Sequence, residues 1–352
     1  MEVYYKLARD LFLSFYTLTF LLIVSQVGCR WETGTDWIPY LTHFESIDDI
    51  ASTSPLNTGM EYGYSILCWF VKVFTDKYSV LLIVHSLIYY FLIFKGIKQL
   101  SPYFFICILL FYAFTMGVLG SHRQLLAIAI VLFSFKYIIN KSPYMFCLCV
   151  ACATVFHTTA IICLPLYFLN INIKEQYLLG IVVLAFLLGK TSLPGRAFEI
   201  LGNIGGLGNK VMIYLEGGIE TAKDYGVSLA GLLKRIIFVA LFIYTKRNLD
   251  VKLANYSLML NTYIVGICLY FLFSSSLTIL VSRGSLYFNM FEPILISCQI
   301  LLIKKDKERV FIIFILFVLS VLYFFQSIAQ YPDLFLPYKG LYINEGFRRE
   351  LS

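Results

Sequence analysis

The chain has 352 residues, 59% of them hydrophobic, 17% aromatic and 14% charged, with a formal net charge of +7 and a mean hydropathy of +0.79. That balance excludes an ordinary soluble globular domain, which carries more charge on its surface. The excess of basic residues does not indicate nucleic acid, because these residues fall mostly in short loops, where they orient membrane helices.

Apolar runs of spanning length recur from residue 11 to residue 326, so the sequence predicts an all-α polytopic integral membrane protein, one membrane domain over 1–352. The first run, 11–28, follows Lys6 and Arg9 and lacks a small-x-small cleavage site, so it reads as an uncleaved span. Basic clusters at Lys6/Arg9, Lys95/Lys98, Lys136/Lys141, Lys246/Arg247/Lys252 and Lys304/Lys305/Lys307/Arg309 are assigned to the cytoplasm. Residues 29–77 then form a first outer loop, acidic, with the apolar segment 62–75 too short to cross and therefore interfacial or re-entrant.

Residues 78–94 run inward, 103–119 outward and 125–139 inward, which brings the polar knot Gly120-Ser121-His122-Arg123-Gln124 to the outer face. The block 143–169 reads as a tight pair of short helices turning near His157, or as one long tilted helix. Residues 177–189 lead out to a second, Gly-rich outer loop, 190–226. Residues 228–245 return with Lys234 and Arg235 embedded, 255–273 go out towards Arg283, 284–303 come in and 310–326 go out. This gives about 11 transmembrane helices, the N-terminus inside and the tail outside.

Nine cysteines lie mostly inside apolar runs. Cys147, Cys149 and Cys152 have no neighbouring His or Asp, so they read as small buried hydrophobes, and no metal site is expected. Phosphate-loop, zincin and triad patterns are absent from the sequence.

The informative charges are those that break the topology rule. Arg123 and Arg283 sit at outer helix ends with His157 at the same depth, and Ser121, His122 and Gln124 surround Arg123. Guanidinium groups clamp phosphate oxygens, so outer cations point to a phosphorylated ligand; snorkelling to lipid headgroups is the plainer alternative. Asp36 and Glu61 lie in the first outer loop as candidate general bases, with Trp37 and Tyr40 as faces for sugar rings. His157 on an apolar helix serves equally well as a packing hydrogen bonder.

Five short motifs follow in order: Asp36-Trp37-x-x-Tyr40, Glu61-Tyr62-Gly63-Tyr64, Arg123-Gln124-x-x-Ala127, Phe156-His157-Thr158-Thr159-Ala160 and Arg283-x-x-x-Tyr287-Phe288, with Pro337-Tyr338 near the end. Together they resemble the Wzy-type O-antigen and capsule repeat-unit polymerases of the EpsG-like branch, over nearly the whole chain. Thr158-Thr159 departs from that pattern, where a serine-containing pair is more usual.

The resemblance implies a GT-C-like glycosyltransferase on the outer face of the bacterial inner membrane. Its substrates would be undecaprenyl-diphosphate-linked oligosaccharides, one the donor and one the acceptor, with no cofactor and with a chain-length regulator as a further partner. Arg123, Arg283 and Gln124 would bind the diphosphate, and Asp36, Glu61 and His157 would be catalytic. Tyr40, Trp37, Arg235, Tyr287 and Tyr338 would contact substrate. The rivals are a transporter or flippase of lipid-linked sugars, an outer-face O-antigen ligase and a membrane acyltransferase built on His157.

Overall fold

A computed structural model describes residues 2–54, 59–204, 229–274, 281, 283–344 and 346. Among these residues every regular element is helical, and the only β-pairing is at isolated bridges around Gly340. Apolar runs have this outcome in lipid, where each backbone N–H and C=O must find its partner within its own segment. Among the described residues, five helices are long and apolar enough to cross a membrane. They are α1 (Glu2–Gly28, apolar from Arg9), α4 (Tyr78–Leu100), α6 (His122–Ile139), α11 (Tyr256–Phe273) and α14 (Asp306–Ile328).

Helical segments also cover the other stretches expected to cross, but they are shorter than about 11 full spans would require. They include α5 (Phe104–Thr115), α7 (Pro143–Phe156), the 3₁₀ segment Thr158–Leu169 and α8 (Glu175–Gly189). At 1.5 Å per residue α8 reaches only about 22 Å, against a hydrocarbon core of about 30 Å. α10 (Leu229–Lys252) is long enough but carries Lys234 and Arg235 near its start. The expected span 284–303 is broken into α12 (Leu286–Asn289), α13 (Phe291–Cys298) and a 3₁₀ turn, Gln299–Leu302.

The described helices group into two compact units. The first comprises residues 1–137, 144–161 and 310–352, and the second 138–143 and 162–309. In the first, α1 packs along α4 through an aromatic ladder in which Tyr16 and Phe20 meet Phe94 at 5.2 and 5.3 Å. Lys98 closes the ladder with its ammonium 5.4 Å from the Phe12 ring, so a basic helix end also packs. α4 ends at Leu100, one residue before Ser101-Pro102, where proline disfavours a continuing helix.

The first loop folds into α2 (Trp37–Glu45) and α3 (Tyr62–Lys72) over the N-terminal end of α4. α3 has 11 residues, about 16 Å, which suits a segment lying on the bundle rather than crossing it. Trp37, Tyr40, Phe44 and Tyr64 are buried in this layer, and Trp37 stacks edge-on against Trp31 and Tyr78. The tail returns here: Trp31 N–H donates to the Lys339 carbonyl at 2.9 Å and Leu341 N–H to the Cys29 carbonyl at 2.9 Å. The tail and the first loop therefore share one face of this unit.

The expected break in 143–169 is present. α7 stops at Phe156, His157 is non-helical, and a 3₁₀ segment begins at Thr158. Of the second loop, residues 193–204 form α9 (Leu193–Ile204), and 205–226 lie outside the described residues, as do Arg348 and Arg349.

Candidate functional site

Two close backbone approaches in the first unit build the site. Gly34 takes φ +96°, and a Cβ there would lie 2.7 Å from the Gly120 Cα, so the loop before α2 is seated on the polar knot. A Cβ on Gly63 would lie 2.9 Å from the Val155 carbonyl, so the start of α3 rests on the end of α7. The first approach brings Tyr40 to Arg123, and the second brings Glu61 towards His157 and Thr158.

Arg123 lies in the first turn of α6, at the positive end of a helix dipole, where a cation is disfavoured unless an anion accompanies it. Glu61 is that anion. Its Oε2 accepts a short bond from Arg123 Nη1, while Arg123 Nε donates to the Tyr40 hydroxyl at 3.2 Å. Glu61 Oε1 accepts from the Thr158 backbone N–H at 3.2 Å, which ties the ion pair to the break after α7. Both side chains stay about a fifth exposed, 22% for Arg123 and 18% for Glu61. Burial pushes the Glu61 carboxyl up, but Arg123, two backbone N–H groups and His157 together outweigh it, and its pKa lies below the usual carboxylate range.

Beneath Arg123 lies a wholly buried network. Arg30, only 1% exposed, donates from Nη1 to the Val27 carbonyl at 2.5 Å and from Nη2 to the Leu119 carbonyl at 3.3 Å. Arg30 Nη2 also reaches His122 Nε2 at 2.8 Å. Guanidinium cannot accept, so His122 Nε2 carries the lone pair and Nδ1–H donates to the Tyr64 hydroxyl at 3.0 Å. The His122 ring stacks on Tyr40 at 4.4 Å and 17°, so the ring that holds Arg123 rests on the ring that Arg30 orients. His43 bonds Ser65 at 3.1 Å; burial, then repulsion from Arg123, push its pKa down to about 4.

The expected residues divide clearly. Arg123, Glu61, Tyr40 and the His157-Thr158 step are brought together, and His157 Nδ1 bonds the Thr159 hydroxyl at 2.6 Å. Asp36 stands at the N-cap position of α2, half-buried, without a capping bond from its side chain; among the described residues its carboxylate is bonded only by the Thr35 hydroxyl at 3.4 Å. Gln124, the last residue of the knot, is buried. Trp37 and Tyr40, each 3% exposed, offer no open face to a sugar: their rings belong to the core of the α2–α3 layer. The Tyr338 hydroxyl donates to the Gln26 carbonyl at 2.8 Å and so fastens the tail to α1.

Arg283, Tyr287 and Arg235 lie in the second unit. Arg283 is exposed, whereas Tyr287 is buried at 1% exposure and is packing rather than surface. The Arg235 guanidinium stacks 3.7 Å over the Tyr270 ring. Lys234 pairs with Glu292 at 2.9 Å, and Glu292 also accepts from the Tyr263 hydroxyl at 2.9 Å. Neither Arg30 nor Glu292 stood out in the sequence, where each is a lone charge near an apolar run. No group of His, Cys, Asp and Glu that could hold a metal ion occurs among the described residues.

The fold and this site define a polytopic membrane protein whose helix ends carry an arginine–carboxylate pair over a buried Arg–His–Tyr network. The chain belongs to the EpsG family, which it matches over residues 13–340. No curated protein and no solved structure matches it. Membership of the EpsG family suggests a polymerase of polysaccharide biosynthesis.

Proposed function

We propose that the protein polymerises undecaprenyl-diphosphate-linked oligosaccharide repeat units of an O-antigen or capsule, on the outer face of the bacterial inner membrane. The observation that carries this reading is the cluster in which Arg123, Glu61, Tyr40 and Thr158 converge at one end of α6. Family membership supports a role in polysaccharide biosynthesis, and the cluster supplies a cation of the kind that stabilises a departing diphosphate.

In the proposed reaction the bond between the donor glycan's anomeric carbon and its phosphate oxygen breaks, and lipid diphosphate leaves. A hydroxyl at the non-reducing end of the acceptor repeat forms the new glycosidic bond, and its proton passes to a carboxylate. The leaving diphosphate needs no protonation, so positive charge matters most. Arg123 supplies that charge, reinforced by the N-terminal end of α6.

The geometry separates the two carboxylates. Glu61 is committed to Arg123 and Thr158 with a lowered pKa, which suits an anchor and makes it a poor base. Asp36 is the better base: it holds one weak hydroxyl contact and sits one helical turn before Tyr40. His157 borders Glu61 and contributes to the positive field there.

A flippase or transporter would be expected to spread its charges through matching halves. Here Arg123, Glu61, Tyr40 and Thr158 gather at one helix end of the first unit. The test is the glycolipid ladder of a deletion strain. Loss of a polymerase leaves a lipid A core bearing one repeat and no longer chains. Loss of a ligase leaves no repeat on the core, and loss of a flippase leaves no outward repeat, so either result overturns the proposal.

A further inference from the structure

The second unit contains a groove of about 250 Å³ between α8, α10 and α11 that the site above does not use. Leu179, Val182, Val183 and Phe186 of α8 face Ile236, Val239 and Ala240 of α10, with Phe271 of α11 alongside. The stretch from Leu179 to Phe186 makes it about 10 Å long. All of these side chains are hydrocarbon, so the groove favours an apolar chain over water or sugar.

One end of the groove is cationic. A Cβ on Gly189 would lie 1.9 Å from the Phe271 carbonyl, so the C-terminal ends of α8 and α11 meet with no side chain between them. Lys190, the next residue of α8, holds its ammonium 5.3 Å from the Phe186 ring that lines the groove. Arg235 lies one turn before Val239 on the same face of α10, and its guanidinium covers Tyr270, the neighbour of Phe271. Lys234 sits beside it with Glu292, which neutralises one of these three cations and leaves net positive charge.

We propose that this groove binds the isoprenoid chain of a polyprenyl diphosphate, with its diphosphate against Lys190, Lys234 and Arg235. A hydrocarbon channel ending in cations matches an amphiphile with an anionic head, and guanidinium with ammonium matches phosphate oxygens. A groove of about 250 Å³ suits a stretch of one chain rather than the paired chains of a phospholipid. The inference rests on the polymerase reading, whose reaction needs two lipid-linked substrates, and gives one of them a binding site in the second unit.

The test labels the full-length protein, in nanodiscs containing phosphatidylglycerol, with a benzophenone-bearing polyprenyl diphosphate and maps the labelled peptides. Label is expected in Leu179–Phe186 and Ile236–Ala240, competed by unlabelled polyprenyl diphosphate and not by polyprenol or inorganic diphosphate alone. Val239→Trp, which fills the groove, and Arg235→Gln should each reduce labelling about tenfold, the loss expected for one charge-assisted contact. Lys190 is exposed, so Lys190→Gln tests the charge without risk to folding and should weaken labelling in the same direction.

No label in these peptides, or equal labelling by a polyprenol probe, overturns the proposal, as does displacement by phosphatidylglycerol. Polymer formation by wild-type protein without groove labelling would refute the groove and leave the polymerase reading standing. Groove labelling in a protein that forms no polymer would refute the polymerase reading and leave the groove.

Discussion

Arg123 and Glu61, 62 residues apart in the chain, form an ion pair that joins the start of α6 to the start of α3. The pair is more than a stray surface contact, because Tyr40 holds the other side of the guanidinium and Thr158 the other carboxylate oxygen. Four segments distant in sequence are thereby fixed to one point.

Removing either partner should cost stability as well as function. Breaking a fully buried pair costs about 3–5 kcal/mol, and with both side chains about a fifth exposed about 1–3 kcal/mol is expected. Arg123→Ala and Glu61→Ala should each lower the thermal midpoint of the purified protein. The double variant should lose less than the sum, and strict additivity would show that the pair does not couple.

Acid should weaken the same region through two groups. Glu61 has a folded-state pKa below its unfolded value, so its contribution is complete above the ordinary carboxylate range and is lost as pH falls through the folded value. His43 is pushed down to about 4, so its neutral form is bound in the fold and stability falls from about pH 6.5 towards 4. The His43 step is at most about 3 kcal/mol. Thermal unfolding followed against pH should show a drop in this window that His43→Gln removes, while Glu61→Gln removes the more acidic part. A flat profile in the wild type contradicts both assignments.

Much of this centre was legible in the sequence. Arg123 stood out because it is a basic residue on the face that the loop charges assign to the outside, and His157 because it interrupts an apolar block. The helix break at His157 follows from the same reading. The aromatic residues were harder: Trp37 and Tyr40 look like sugar platforms in a loop, and the family resemblance makes Tyr287 a substrate contact, yet the structure uses all three to fill cores. Arg30 could not be found by local pattern, since Leu119 and His122, which hold its guanidinium, lie 89 and 92 residues away in the chain. The spans were easier to recognise than to count, because apolar helices of 12–17 residues read as spans but are shorter than a full crossing.

Arg30 should be indispensable to the fold through His122. Arg30→Met leaves His122 Nε2 buried without its donor, and a loss of about 2–4 kcal/mol is expected. Nitrogen-15 spectra of the wild-type imidazole should show a neutral ring protonated at Nδ1. An Nε2-protonated or doubly protonated ring would contradict the network.

The two glycine contacts should be intolerant. Gly34→Ala combines a left-handed backbone with a Cβ 2.7 Å from the Gly120 Cα and should cost about 1–3 kcal/mol. Polymer length in cells carrying Gly34→Ala at normal expression should fall, whereas Gly59→Ala, with nothing within 4 Å among the described residues, should cost only its φ strain and leave the polymer intact.

The most direct measurement is turnover by the purified protein in liposomes supplied only with lipid-linked single repeats. Wild-type protein should build longer lipid-linked chains and release polyprenyl diphosphate in step with each bond formed. Arg123→Ala should do neither while still folding. Chains of wild-type length from Arg123→Ala, or no chains from the wild type, would contradict the account.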